Sequence, residues 1–200
     1  MGKASCILVL KHREEITMNH LGTTRLETDR LILRPFVPED AAPMFQNWAS
    51  DPMVTRYLTW PTHQDLSVTQ MVVKSWIDRY GDPTFYQWAI ELKSLGQPIG
   101  SISGVKIDEG TCSVEIGYCI GQPWWGQGLV AEAVRALMAF FFEQVGVQRV
   151  KACHHPDNPN SGKVMQKCGM SYDGAWAKEG KGIELRWYSL SKEIYVDGLR

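Results

Sequence analysis

Gln122–Ala133 reads QPWWGQGLVAEA, and this stretch decides the fold. Trp124 and Trp125 close an apolar run. Gly126 and Gly128 follow with one residue between them. From Leu129 to Phe142 the chain is rich in Ala, Leu, Met and Phe without Gly or Pro, which predicts a helix. Strand, glycine turn and helix start together form an anion site. The first turn of a helix has backbone N–H groups without intrahelical partners, at the positive end of its dipole. Glycines let a phosphate approach the backbone closely. A bare Gly-x-Gly is equally an ordinary strand-to-helix turn, so its neighbours must decide between the two.

Upstream, Arg25–Arg34 carries the strand-like Leu31-Ile32-Leu33, ended by Pro35. Pro38-Glu39-Asp40 suits a helix start, and Ala41, Met44, Phe45 and Trp48 give that helix one apolar face. A loop with Tyr57, Trp60 and Pro61 leads to a second helix over Asp65–Tyr80, with Met71, Val72, Trp76 and Ile77 expected inward. Three strands are then expected: Tyr86–Lys93, Ile99–Ile107 with bends or bulges at Gly100 and Gly104, and Cys112–Ile120 after a turn at Asp108-Glu109-Gly110.

Downstream, the long helix places Val130, Val134, Leu137, Met138 and Phe141 on one face, sets Glu132 and Arg135 on the other, and ends near Gly146. A strand over Gln148–Ala152 runs into His154-His155-Pro156. A short helix comes next over Ser161–Cys168, with Ser161 in the N-cap place. A hairpin of Met170–Trp176 and Leu185–Ile194, turning at Gly180–Gly182, closes the chain. The expectation is one α/β (α+β) domain over residues 23–200, a mostly antiparallel mixed central sheet flanked by helices. Residues 1–22 read as an N-terminal extension outside the fold, with Met18 an alternative start.

The 200 residues suit one domain with a sizeable core. A formal net charge of −1 gives no global basic field, so direct nucleic-acid binding is not expected. Five scattered cysteines without a Cys-x-x-Cys pair fit reduced thiols in a cytoplasmic protein. No apolar run approaches the ~20 residues of a membrane span, and Cys6–Leu10 is too brief for a secretory signal.

Four pieces, in order, carry a family resemblance: TDRLILRPF at Thr28–Phe36, VEIGY at Val114–Tyr118, WWGQGLVAEAV at Trp124–Val134, and DNPNSGKVMQKCGM at Asp157–Met170. Together they resemble the GNAT N-acetyltransferase superfamily, within it the branch of ribosomal-protein N-terminal acetyltransferases. The likeness spans about Thr23 to Ile194. It implies acetyl-coenzyme A as co-substrate and a primary amine as acceptor, with a protein N-terminal amine first. A small-molecule amine and a non-catalytic coenzyme A-binding module are the rivals. Homodimers are common among such proteins.

The resemblance puts the pyrophosphate on the backbone N–H groups from Gln127 to Ala131, in a turn whose pattern aligns with Trp125, Gly126, Gln127, Gly128, Leu129 and Val130. Val130 departs from the pattern, which asks for a very small residue. Its side chain either crowds the phosphate or points into the core, and helical spacing favours the core.

Acetyl transfer needs a neutral amine, a stabilised thioester oxygen and a protonated leaving thiolate. Glu115, a carboxylate between Val114 and Ile116, is the candidate base. The resemblance implies that Asn158 contacts the coenzyme arm and that Ser161 sits near the sulfur, as a candidate acid. Ser161 as a mere helix cap is the competing reading, and Tyr172 is a weaker candidate acid. Cys153, His154, His155 and Asp157 invite a zinc reading, but adjacent strand histidines face opposite ways, so no metal is expected. Cys153 and Cys168 have no evident activating base and are not expected as nucleophiles. The acceptor side is expected to draw on Tyr57, Trp60, Trp76 and Phe85, with Trp176, Arg186 and Tyr188 opposite.

Overall fold

The computed structural model describes residues 17–177 and 182–198. One eight-stranded sheet organises them: β1 (Leu26–Glu27), β2 (Leu31–Arg34), β3 (Tyr86–Leu92), β4 (Gln97–Asp108), β5 (Ser113–Ile120), β6 (Arg149–His154), β7 (Ser171–Ala177) and β8 (Glu184–Ser191). Their order in space is β1-β2-β3-β4-β5-β6-β8-β7. Every neighbouring pair is antiparallel except β5–β6. That parallel pair needs a crossover, which the long helix after the glycine turn supplies.

Among the described residues six α-helices flank the sheet: α1 (Ala41–Met44), α2 (Pro52–Thr55), α3 (Leu66–Ile77), α4 (Leu129–Ala139), α5 (Pro159–Lys167) and α6 (Lys192–Asp197). A 3-10 turn, Pro38–Asp40, leads into α1, and a π-helical turn, Phe45–Ala49, extends it. α4 likewise continues as a π-helical turn over Phe140–Val145 and ends on Gly146 in the left-handed region. That conformation is the usual helix stop.

Sheet alternation sorts the side chains between two cores. Val114, Ile116 and Ile120 of β5 join Leu33, Trp88, Val134, Leu137, Phe141 and Val150 under α4. On the other side Phe36, Met44, Trp48, Val73 and Ala89 pack beneath α1 and α3. The expected bulges exist: register shifts fall beside Gly100 and between Gly104 and Lys106.

Several local expectations are corrected. Met71 is 64% exposed; Thr69 and Val73 are the buried residues of α3, and the expected Val72, Trp76 and Ile77 pack half-buried against the core. Pro52–Thr55 is a short helix rather than loop, capped by the Asp51 carboxylate accepting from the Met53 N–H. Ile194 lies in α6, since the Ser191 hydroxyl accepts from its N–H and starts a helix where the strand ends. The closing turn lies partly outside the described residues, as do residues 1–16 of the N-terminal extension. Nearer the domain, the Asn19 N–H donates to the Val145 carbonyl, and His20 bonds the Tyr86 hydroxyl at 2.9 Å and Glu109 at 2.7 Å.

Candidate active site

The site begins where two parallel strands part. β5 and β6 are in register only from Ser113↔Arg149 to Glu115↔Lys151. Beyond that row β5 continues to Ile120 and β6 to His154 without pairing to each other. The gap opens between backbones whose N–H and C=O groups need partners, so it suits an extended polar arm.

At the end of β5, Gln122–Trp124 form a 3-10 turn, and the Trp125 indole N–H donates to the Ile120 carbonyl at 2.8 Å. Gly126 and Gly128 have φ of +75° and +77°. Side-chain-bearing residues rarely adopt that region, so these glycines are what the turn requires. Gly128 is the N-cap of α4. Among the described residues, no backbone carbonyl accepts a hydrogen bond from the N–H groups of Gln127 to Ala131. Val130 packs against the core under α4, leaving its backbone N–H at the helix start.

Glu115 is 9% exposed, with Lys106 and Lys151 as its register partners. The Cys153 thiol lies 3.9 Å from its Oε1. It shares a face of β5 with Gly117 and Cys119, opposite the α4 core. Tyr118 points the other way and reaches α5: its hydroxyl donates to the Ser161 carbonyl at 3.0 Å and lies 3.1 Å from Ser161 Oγ. Burial pushes the Tyr118 phenol well above its ordinary range, so it stays protonated. The residues singled out from sequence thus divide across the gap. Glu115 stands on one face of β5, Ser161 on the other, and the glycine turn lies at its end.

Asn158, rather than Ser161, occupies the N-cap of α5; Ser161 is the third residue of that helix. Pro159 at the first helical position shifts the start upstream. Tyr118 joins the candidate site through its contact with Ser161 and was not among the residues expected there. Nothing in VEIGY marks its tyrosine, because the partner that gives it a role lies 43 residues away.

The histidines separate as alternation requires. His154 is buried against Tyr188, its Nδ1–H donating to the His155 carbonyl at 2.8 Å. His155 instead meets the Tyr57 ring, centroids 5.0 Å apart, which brings the α2–α3 loop against the end of β6. Among the described residues no group of three His, Cys, Asp or Glu side chains is placed to hold a metal ion. Cys168 is buried, its thiol 3.4 Å from the Ala131 carbonyl, and burial raises it to about 11. Of the expected acceptor aromatics, Trp76 packs on Phe36 and Phe85 on Tyr80. Tyr172 makes an edge contact with Tyr188. Trp176 is 45% exposed and stacks on Trp187 at 5.4 Å.

The family model for the acetyltransferase (GNAT) domain matches residues 30–171. The uncharacterized N-acetyltransferase p20 of Bacillus licheniformis is 33% identical over 176 residues, covering 86% of this chain and 98% of p20. The [ribosomal protein uS5]-alanine N-acetyltransferase of Escherichia coli is 26% identical, covering 84% of this chain and 89% of its own length. Among solved structures, RimL, a ribosomal L7/L12 alpha-N-protein acetyltransferase in complex with coenzyme A, shares the fold with a TM-score of 0.73 at 17% identity, covering 86% of this chain and 99% of its own. With β5 and β6 parted beside a glycine-capped helix and the family model spanning most of the domain, the chain belongs to the GNAT acetyltransferase family and is an N-acetyltransferase.

Proposed function

We propose that this enzyme transfers acetyl from acetyl-coenzyme A to the α-amine of a protein N-terminus, by direct attack in a ternary complex. The observation that carries the reading is the gap between β5 and β6, with a nearly buried carboxylate on one face and a hydroxyl pair on the other. Two relatives support the choice of acceptor: one is named for acetylating ribosomal protein uS5, the other for L7/L12.

On this reading the N–H groups of Gln127 to Ala131 hold the pyrophosphate, with Gly126, Gly128, Leu129 and Val130 forming the turn, and Asn158 meets the coenzyme arm. Glu115 takes a proton from the incoming ammonium, directly or through water. The neutral amine attacks the thioester carbonyl, a C–N bond forms and the C–S bond breaks. The Ser161 hydroxyl gives its proton to the departing thiolate and regains one from the amide nitrogen as it forms. The products are an amide and the free thiol of coenzyme A, with one proton released from the original ammonium. Among the described residues no helix is long and apolar enough to cross a membrane. A cytoplasmic location, close to newly made N-termini, fits the proposed acceptor.

Calorimetric titration tests the donor half: acetyl-coenzyme A binds the wild type, and Gly128→Val, which puts a branched side chain at φ +77°, weakens it at least tenfold. Wild-type protein that does not bind acetyl-coenzyme A sinks the assignment.

A further inference from the structure

Arg30 stands behind the glycine turn rather than in it. It precedes β2, yet its side chain ties that turn to α4. Its Nη1–H donates to the Gln127 carbonyl at 3.1 Å, and its Nε–H donates to Glu132 Oε2 at 2.7 Å. Its Nη2 is 2.6 Å from the same carboxylate oxygen. Its backbone N–H donates to Glu132 Oε1 at 2.9 Å, and the Thr28 hydroxyl donates there at 2.6 Å. The two sides of this clamp are 102 residues apart in sequence.

The clamp acts on the turn in two ways. In a trans peptide the C=O and N–H point in opposite directions. Holding the Gln127 carbonyl on the Arg30 side therefore turns the Gly128 N–H away from Arg30. Charge is the second effect. Glu132 sits in the first turn of α4, where it suits the helix dipole but opposes a second anion. Burial alone would raise that carboxyl; bonds from Thr28 and Arg30 outweigh it and hold Glu132 below its ordinary range. Glu132 is thus an anion beside the anion seat, and Arg30 is its counter-charge.

We infer that Arg30 is a positioning residue for the diphosphate of the acetyl donor: it fixes the peptide between Gln127 and Gly128 and cancels the charge of Glu132. This rests on the reading of the glycine turn as the pyrophosphate seat. A purely structural brace would gain nothing from neutralising the acid as well, so the double variant separates the two roles.

The test is calorimetric titration of acetyl-coenzyme A into the full chain and three variants. Arg30→Ala weakens binding about tenfold, the scale of one charge-assisted contact. Arg30→Ala with Glu132→Gln recovers to within about threefold of wild type, because the uncompensated acid is gone. Arg30→Lys keeps a charge beside Glu132 but not the planar fork, and weakens binding about threefold; it carries the test if Arg30→Ala does not fold. Wild-type affinity in the single variants, or a double variant no tighter than Arg30→Ala, overturns the inference. A wild type that fails to bind at all overturns instead the seat on which it rests.

Discussion

The Tyr118 hydroxyl crosses from β5 to α5 and meets Ser161 twice, at 3.0 Å from its carbonyl oxygen and 3.1 Å from its Oγ. One phenol therefore anchors the backbone of the helix and orients the hydroxyl on it. A carbonyl only accepts, so the Tyr118 proton is committed there and its oxygen is left to accept from Ser161. To serve as an acid, the Ser161 proton must swing from Tyr118 to the leaving sulfur. Ser161→Ala is expected to lower kcat about a hundredfold, within the usual range for a positioned acid. Tyr118→Phe lowers it about tenfold and destabilises the fold by ~1 kcal/mol, the net worth of one hydrogen bond. Thiol release and thermal melting, measured side by side, separate the two effects. Equal activity with a lower melting temperature in Ser161→Ala leaves it a purely structural residue.

Glu115→Gln keeps the shape of the site and removes the proton acceptor. The expected result is a fall in kcat of about a hundredfold at neutral pH. The deficit shrinks as pH rises past the ~8 of an α-amino group, because the amine then arrives neutral. An unchanged rate and pH profile would remove Glu115 from the mechanism.

Helix α5 lies directly on a histidine. A Cβ at Gly162 would stand 2.6 Å from His154 Nε2 and 3.2 Å from Cδ2. Ring and helix backbone must shift to admit even one methyl. Gly162→Ala is therefore expected to destabilise the fold by about 1–3 kcal/mol, the usual penalty of overpacking. Activity falls as well, since Asn158 and Ser161 ride on the same helix. Denaturant melts and thiol release check this; a more stable, fully active variant would contradict the packing account.

Two buried histidines make stability fall at mildly acid pH. Desolvation lowers both His63 and His154 from their ordinary value of 6.5. His63 shares a 2.8 Å hydrogen bond with the Thr69 hydroxyl, and His154 Nε2 is buried without a partner among the described residues. The unfolded chain takes up protons at these sites before the folded chain does. Stability is thus undiminished above about pH 6.5 and falls as pH drops from there toward the lowered folded values, by at most ~1.4 kcal/mol per pH unit for each histidine. Chemical denaturation from pH 8 to pH 5 measures this. His154→Gln and His63→Asn should each flatten the curve, and a wild-type curve flat through that window would contradict it.

Much of this molecule is legible locally. Asp65 announces the start of α3, Gly146 the end of the long helix, and Gly100 and Gly104 the bulges of β4. Each acts through its own backbone, so a short window of sequence contains the cause. The glycine turn is legible for the same reason. Met71 misleads because a one-residue change of phase moves a helical side chain from core to solvent, and propensity does not set phase. Ser161 misleads because Ser after a polar loop fits the place of a cap, while Pro159 moves the start to Asn158. Tyr118 with Ser161 and Arg30 with Glu132 are out of reach. Those pairings are created by the sheet and the crossover helix, and nothing local to either partner marks them.

On the proposed function this fold moves acetyl to the α-amine of a peptide. The most direct measurement mixes enzyme and acetyl-coenzyme A with matched acceptors and follows free thiol and product mass. The set contains peptides with a free N-terminus, the same peptides blocked at the N-terminus but carrying a lysine, and small amines such as amino acids and polyamines. Thiol release and a single added acetyl group are expected only with free N-termini. Turnover of the small amines with none of the peptides would contradict it.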